Sequence, residues 1–180
     1  LSVTQGRGTE VRDISTSQRL NKITSFTETL RNRGYKVTTQ GLCVEKILAP
    51  DFIQEIFSLK ENDLVYYIQR VQCADGMPIC ILENYLTLEL IPNFYLRESD
   101  CVSLYSYLEN NYGILLKHAI EKITAIPASF TDSQILRVPV NTPLLYSTRT
   151  TYTDHGPFEY AILKIVADRY EYQVYLSGRS

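Results

Sequence analysis

The stretch Leu64 to Leu88, LVYYIQRVQCADGMPICILENYLTL, divides at Asp75-Gly76 into two runs rich in β-branched and aromatic residues. Asp-Gly adopts the positive φ angles of a two-residue hairpin loop at low steric cost, so the stretch reads as two antiparallel strands. Side chains along a strand alternate between its faces. Leu64, Tyr66, Ile68, Arg70 and Gln72 therefore share one face of the first strand, and Ile79, Ile81, Glu83 and Tyr85 one face of the second. A guanidinium and a carboxylate thus fall among large apolar groups, where burying either unpaired is costly. They need each other, water or a ligand, and a lined cavity is the expectation.

Working backward, a helix is expected from about Pro50 to Ser58, preceded by a β-rich stretch from Tyr35 to Leu48 bent at Gly41. Ser25 and Glu28 form a capping box that starts an earlier helix near Thr24, with Phe26 and Leu30 on one side and Gly34 ending it. Working forward, Leu90 to Cys101 reads as a loop and Ser103 as the cap of a helix over Leu104 to Asn111. A strand from Ile114 to Ile126 comes next, then a short helix over Thr131 to Leu136. Strands are then expected at Leu144 to Tyr152, Phe158 to Val166 and Tyr170 to Leu176, the first two joined at Asp154-His155-Gly156-Pro157.

A loose internal repeat sets Leu64-Val65-Tyr66, Asp75-Gly76 and Pro78 against Leu144-Leu145-Tyr146, Asp154 and Gly156-Pro157. Two helix-plus-hairpin units give an antiparallel sheet with helices packed on it, an α+β fold and not a parallel α/β one.

The 180 residues suit one domain, and 44% apolar with 21% charged residues are globular values. A net charge of −2 leaves no electrostatic footprint for nucleic acid on the bulk of the chain. The 14 tyrosines, with no tryptophan, suit sheets and polar pockets alike. Cys43, Cys73, Cys80 and Cys101 lack the spacing of a zinc site, and only His118 and His155 could join them, so no metal or cofactor is expected. The thiols read as reduced residues of a cytoplasmic protein, although Cys73 and Cys80 flank the hairpin turn closely enough to leave a disulfide open. No long apolar span suggests a membrane segment.

Glu159 is a second carboxylate on an apolar strand face, shared with Ala161, Leu163 and Ile165. Either it reaches water at a strand end, or it lines one pocket with Glu83. Arg70 either neutralises one of these glutamates or meets an anionic ligand in a bidentate manner. The helix start Ser25-Phe26-Thr27 offers hydroxyls and free backbone N–H groups to an anion. Nucleophile elbows, P-loops, HExxH and dinucleotide fingerprints are all absent, and no catalytic residue is assigned.

Gly6-Arg7-Gly8-Thr9-Glu10-Val11 resembles the G-x-G-T-(aromatic)-V wing of GntR-type winged helix-turn-helix repressors, with Glu10 in place of the aromatic. The remainder of the chain resembles the effector-binding (UTRA) domain of the HutC subfamily. The resemblance is carried by Ser25-Phe26-Thr27-Glu28 with Gly34, by Arg70, Asp75-Gly76-x-Pro78 and Glu83, and by Ser103-Leu104-Tyr105 with Leu108 and Gly113. Gly156-Pro157-Phe158-Glu159 and Asp168-Arg169-Tyr170 complete it.

It implies a chorismate-lyase-like α+β fold, with residues 1–14 as the end of a wing, 15–23 as linker and 24–180 as the effector domain. It also implies a homodimer that binds a small-molecule effector (a sugar phosphate or related small acid) and meets operator DNA only through an N-terminal domain. The implied ligand-binding set is Ser25, Phe26, Thr27, Arg70, Gln72, Glu83, Ser103, Tyr105, Glu159 and Ile165. Gln72 stands where a second arginine is common, and Ile165-Val166 replaces a Tyr-Arg pair. Losing one guanidinium weakens the case for a dianionic phosphate, since a charged hydrogen bond is worth roughly 1.5–3 kcal/mol.

Overall fold

The computed structural model describes residues 2–3, 9–10, 23–97 and 103–172. Near the start, β1 (Ser2–Val3) and β2 (Thr9–Glu10) form an antiparallel pair, Ser2 opposite Glu10. Residues 23–171 form a separate compact unit. The expected linker lies outside the described residues except for Ile23, and of the last expected strand only Tyr170, Glu171 and Tyr172 are described, where the chain is not in strand conformation.

The larger unit runs α1 (Phe26–Asn32), β3 (Val37–Leu48), α2 (Asp51–Phe57), β4 (Leu64–Ala74), β5 (Met77–Thr87), then α3 (Leu104–Tyr112), β6 (His118–Pro127), α4 (Phe130–Leu136), β7 (Pro143–Thr153) and β8 (Gly156–Val166). The six longer strands form one antiparallel sheet in the order β3-β4-β5-β8-β7-β6. The α+β expectation is met, and the order α-β-α-β-β occurs twice.

The repeat is tighter than its sequence suggests. One offset of 79 residues carries α2 onto α4, β4 onto β7 and β5 onto β8. It also relates the left-handed C-caps Ser58 and Arg137, and the hydrogen bonds Ala49 N to Asp63 O and Ala128 N to Thr142 O. The halves meet at β5 and β8 about a pseudo-twofold axis. Glu83 and Ile162, counterparts under the offset, lie opposite each other there.

Each hairpin carries one extra residue at the same place. In β4–β5, Cys73 pairs with Pro78 and Gln72 with Cys80, leaving Ile79 as a bulge; in β7–β8, Phe158 is the bulge. The β4–β5 turn uses positive φ at Asp75 (50°) and Gly76 (82°), as a two-residue hairpin loop requires.

Helices cover both faces of the sheet. On one, α2 packs Ile53 and Phe57 against Val65 and Tyr85, and α4 packs Leu136 against Ile81, Leu144 and Val166. On the other, Leu104 and Leu108 of α3 pack against Tyr66, Ile68, Leu86 and Phe158. Cys73 and Cys80 are separate buried thiols, so the disulfide that their spacing left open does not form.

Candidate functional site

The α1/α3 face of the sheet carries a buried polar network amid the apolar packing. Arg70 Nη1 donates to Asn84 Oδ1 at 2.6 Å, and Asn84 Nδ2 donates to Glu159 Oε1 at 2.6 Å. The charged neighbours dictate which way the amide points, because only its oxygen can accept from a guanidinium and only its nitrogen can donate to a carboxylate. Glu159 Oε2 accepts from Tyr105 Oη at 2.7 Å and Thr151 Oγ1 at 2.9 Å. Arg70, Asn84 and Glu159 are 3%, 3% and 1% exposed, so opposite charges are held in the interior with one amide between them.

A second arginine approaches Glu159 from the other side. Arg149, the 79-residue counterpart of Arg70, lies 3.5 Å from Tyr105 Oη through Nη1, which also donates to Thr24 O at 2.8 Å. Its Nη2 pairs with Glu121 Oε2 at 2.8 Å, and Ser147 Oγ donates to Glu121 Oε1 at 2.6 Å. Burial opposes the Arg149 charge, but Tyr105 and Glu121 outweigh it and hold its pKa above the ordinary value. Burial, then the Glu159 charge, raises the Tyr105 phenol well above its usual range, so it stays a donor.

Two helix starts meet beside this network. Ser25 caps α1 with Glu28 in a capping box, and Ser103 caps α3. Glu28 joins them, accepting from Ser103 Oγ at 2.5 Å and Ser106 Oγ at 3.1 Å, while Ser25 Oγ lies 3.4 Å from Ser103 Oγ. Phe26 packs on Tyr170 with ring centroids 5.1 Å apart, and burial pushes the Tyr170 phenol up to about 12. Thr27 and Ile165 are buried, and Gln72 is engaged with Thr39, donating through Nε2 at 3.0 Å.

Of the ten residues expected to bind ligand, Arg70, Gln72, Tyr105, Glu159 and Ile165 lie on the α1/α3 face, with Ser25, Phe26, Thr27 and Ser103 at the helix starts beside it. Glu83 does not join them. It pairs across the ladder with Gln69 and Ile162, on the opposite face, where its neighbours are Tyr67 and Tyr85. The cause is the bulge at Ile79. Without it Ile68 would face Glu83; the extra residue brings Asn84 opposite Ile68 instead. On the far face, burial and then the Glu83 charge raise the Tyr67 phenol.

The sequence reading missed Asn84, Arg149, Thr151 and Glu121. Arg149 had a signal, since the correct repeat offset sets it against Arg70. Among the described residues, no cluster of His, Cys, Asp and Glu could hold a metal ion, and no helix is long and apolar enough to cross a membrane.

Residues 32–171 match the UTRA domain. The chain belongs to the UTRA domain family. It is 28% identical over 178 residues to the HTH-type transcriptional repressor NagR of Bacillus subtilis, covering 98% of this chain and 72% of NagR. Among solved structures it resembles the effector domain of PhnF from Mycobacterium smegmatis, with a TM-score of 0.77 at 18% identity over 86% of this chain and 96% of that one. It also resembles the ligand-binding domain of a protein from Bordetella bronchiseptica described as a GntR-family transcriptional regulator, with a TM-score of 0.73 at 26% identity over 79% and 90% of the two chains. The UTRA fold is chorismate-lyase-like, and the domain is a regulatory, ligand-sensing part of GntR-family regulators, not a catalytic one.

Proposed function

We propose that the chain is the effector-sensing domain of a bacterial, HutC-type GntR repressor that acts in the cytoplasm as a homodimer. A small metabolite, a sugar phosphate or related small acid, binds on the α1/α3 face of the sheet. Residues 1–14 are the end of a wing, a reading that the antiparallel β1–β2 pair supports. Residues 15–23 are the linker, and a winged helix-turn-helix ahead of them meets the operator.

The observation that carries this reading is the buried pair of Arg70 and Glu159, bridged by Asn84 beside two helix starts. Arg70 supplies a bidentate donor for an anionic group. Tyr105 and Thr151 hydroxyls, with the Glu159 carboxylate, suit the hydroxyl or amine groups of a sugar or amino acid. Ser25, Phe26, Thr27, Ser103, Gln72 and Ile165 complete the lining. Gln72, neutral and already bonded to Thr39, favours a singly charged group over a phosphate dianion.

A thermal-shift screen of this chain against phosphosugars, free sugars, amino acids and small carboxylic acids tests the reading. A ligand at about 100 times its Kd adds roughly 2.7 kcal/mol, a rise of several degrees. Arg70→Ala should abolish that rise for any anionic hit. The bonds that Asn84 makes to both Arg70 and Glu159 favour a second reading, a module that associates without ligand. Silence across the panel would support it.

A further inference from the structure

Arg149 stands where the buried network meets the point of entry of the chain into this unit. Its guanidinium reaches three separate parts of the chain: the Tyr105 hydroxyl of α3 at 3.5 Å, the carbonyl of Thr24 at 2.8 Å and Glu121 of edge strand β6 at 2.8 Å. Tyr105 in turn donates to Glu159 at 2.7 Å. Thr24 directly precedes the α1 cap Ser25, whose hydroxyl accepts from Glu28 N and whose carbonyl accepts from Thr29 N. At 8% exposure Arg149 cannot exchange these partners for water without moving the elements that bear them. Arg70 is directed differently, toward Asn84 of the neighbouring strand β5.

We infer that Arg149 is a positioning residue that couples the Glu159 site to the Thr24 entry segment and to β6. The inference rests on the sensor reading for its purpose, though not for its test. A change at the Glu159 carboxylate alters the Tyr105 hydroxyl bond. Arg149 then redistributes its donors between Tyr105 and the Thr24 carbonyl, and the first turn of α1 loosens or tightens. Such coupling needs a measured interaction between sites, not mere intermediacy. An arginine suits the role because its rigid planar fork holds several partners in fixed directions, whereas a lysine ammonium is a compact point charge on a flexible stem.

Amide hydrogen exchange on this chain, with Glu159→Gln standing in for a change of ligation, measures it directly. With Arg149 present, E159Q should change exchange at Glu28 and Thr29 by about fivefold, the lower end of ordinary coupling between sites. In the R149K background, which keeps the charge, and in R149M, the same change should fall below about twofold, the level of uncoupled sites. R149K keeps the test available if R149M does not fold. An undiminished response in both backgrounds, or none with Arg149 present, overturns the inference; the former would credit the Ser25–Ser103 contact instead. A silent ligand screen would sink the sensor reading and leave this result untouched.

Discussion

Asn84 is the residue on which the interior charge depends. Its amide supplies one hydrogen bond each to Arg70 and Glu159, and neither charge has bulk water to fall back on. Breaking a buried charged arrangement by removing one member typically costs about 3–5 kcal/mol, whereas replacing the whole set by apolar groups of similar volume is often neutral. Asn84→Ala should therefore lose about 3 kcal/mol or more in urea unfolding, and the triple change R70M/N84L/E159M should recover most of it. Glu83 gives the opposite expectation. It is a half-buried carboxylate on the far face, so Glu83→Ala should stay within about 0.5–1 kcal/mol of the parent. Equal costs at Glu83 and Glu159 in the same titration would contradict the face assignment.

At the scale of elements, α4 is pinned by its own first turn. Ser129 and Asp132 form a capping box, and Asp132 Oδ1 pairs with Lys164 Nζ of β8 at 3.0 Å. Burial acts to raise the Asp132 pKa, but the Ser129 bonds and Lys164 outweigh it and leave it below its ordinary value. A depressed carboxylate pKa gives stability that is full above the unfolded pKa and disappears as pH falls through the folded one. Asp132→Asn should thus be destabilising at neutral pH, and the gap to the parent should close in acid below about pH 4, the unfolded aspartate range. A gap that widens on acidification would reverse the sign.

Most elements were legible because caps and turns are local: the Ser25–Glu28 box, the Ser103 cap and the Asp75-Gly76 turn all start or bend the chain where expected. The illegible part depended on pairing. The Ile79 bulge has no sequence mark, yet it decides that Asn84 and not Glu83 faces the network. Arg149 was obscured because matching Leu64-Val65-Tyr66 to Leu144-Leu145-Tyr146 sets the offset one residue too long.

For the whole unit, the decisive surface is the β5–β8 seam. Cys80, Leu82 and Leu86 of β5 are buried, and their partners across the seam, Ile165, Leu163 and Glu159, belong to the other half. Residues 23–97 alone would expose this row with a bare strand edge, a template for aggregation. Expressed separately, that piece should show no cooperative unfolding, and co-expression with residues 98–180 should restore a soluble complex with one transition. A first half that folds alone would show that the seam is an interface between two independent domains.

The matched bulges, caps and strands carry an evolutionary consequence. A peptide of about half this length could have built the same sheet by self-association, placing one arginine on each side of a true dyad. Gene duplication and fusion would then have left the two copies free to diverge. Arg70 now reaches the shared carboxylate through an amide, and Arg149 through a phenol tied to the chain's entry point. On this view the buried network is the scar of a lost homodimer, with an asymmetry that would let one former twin hold a ligand and the other report it.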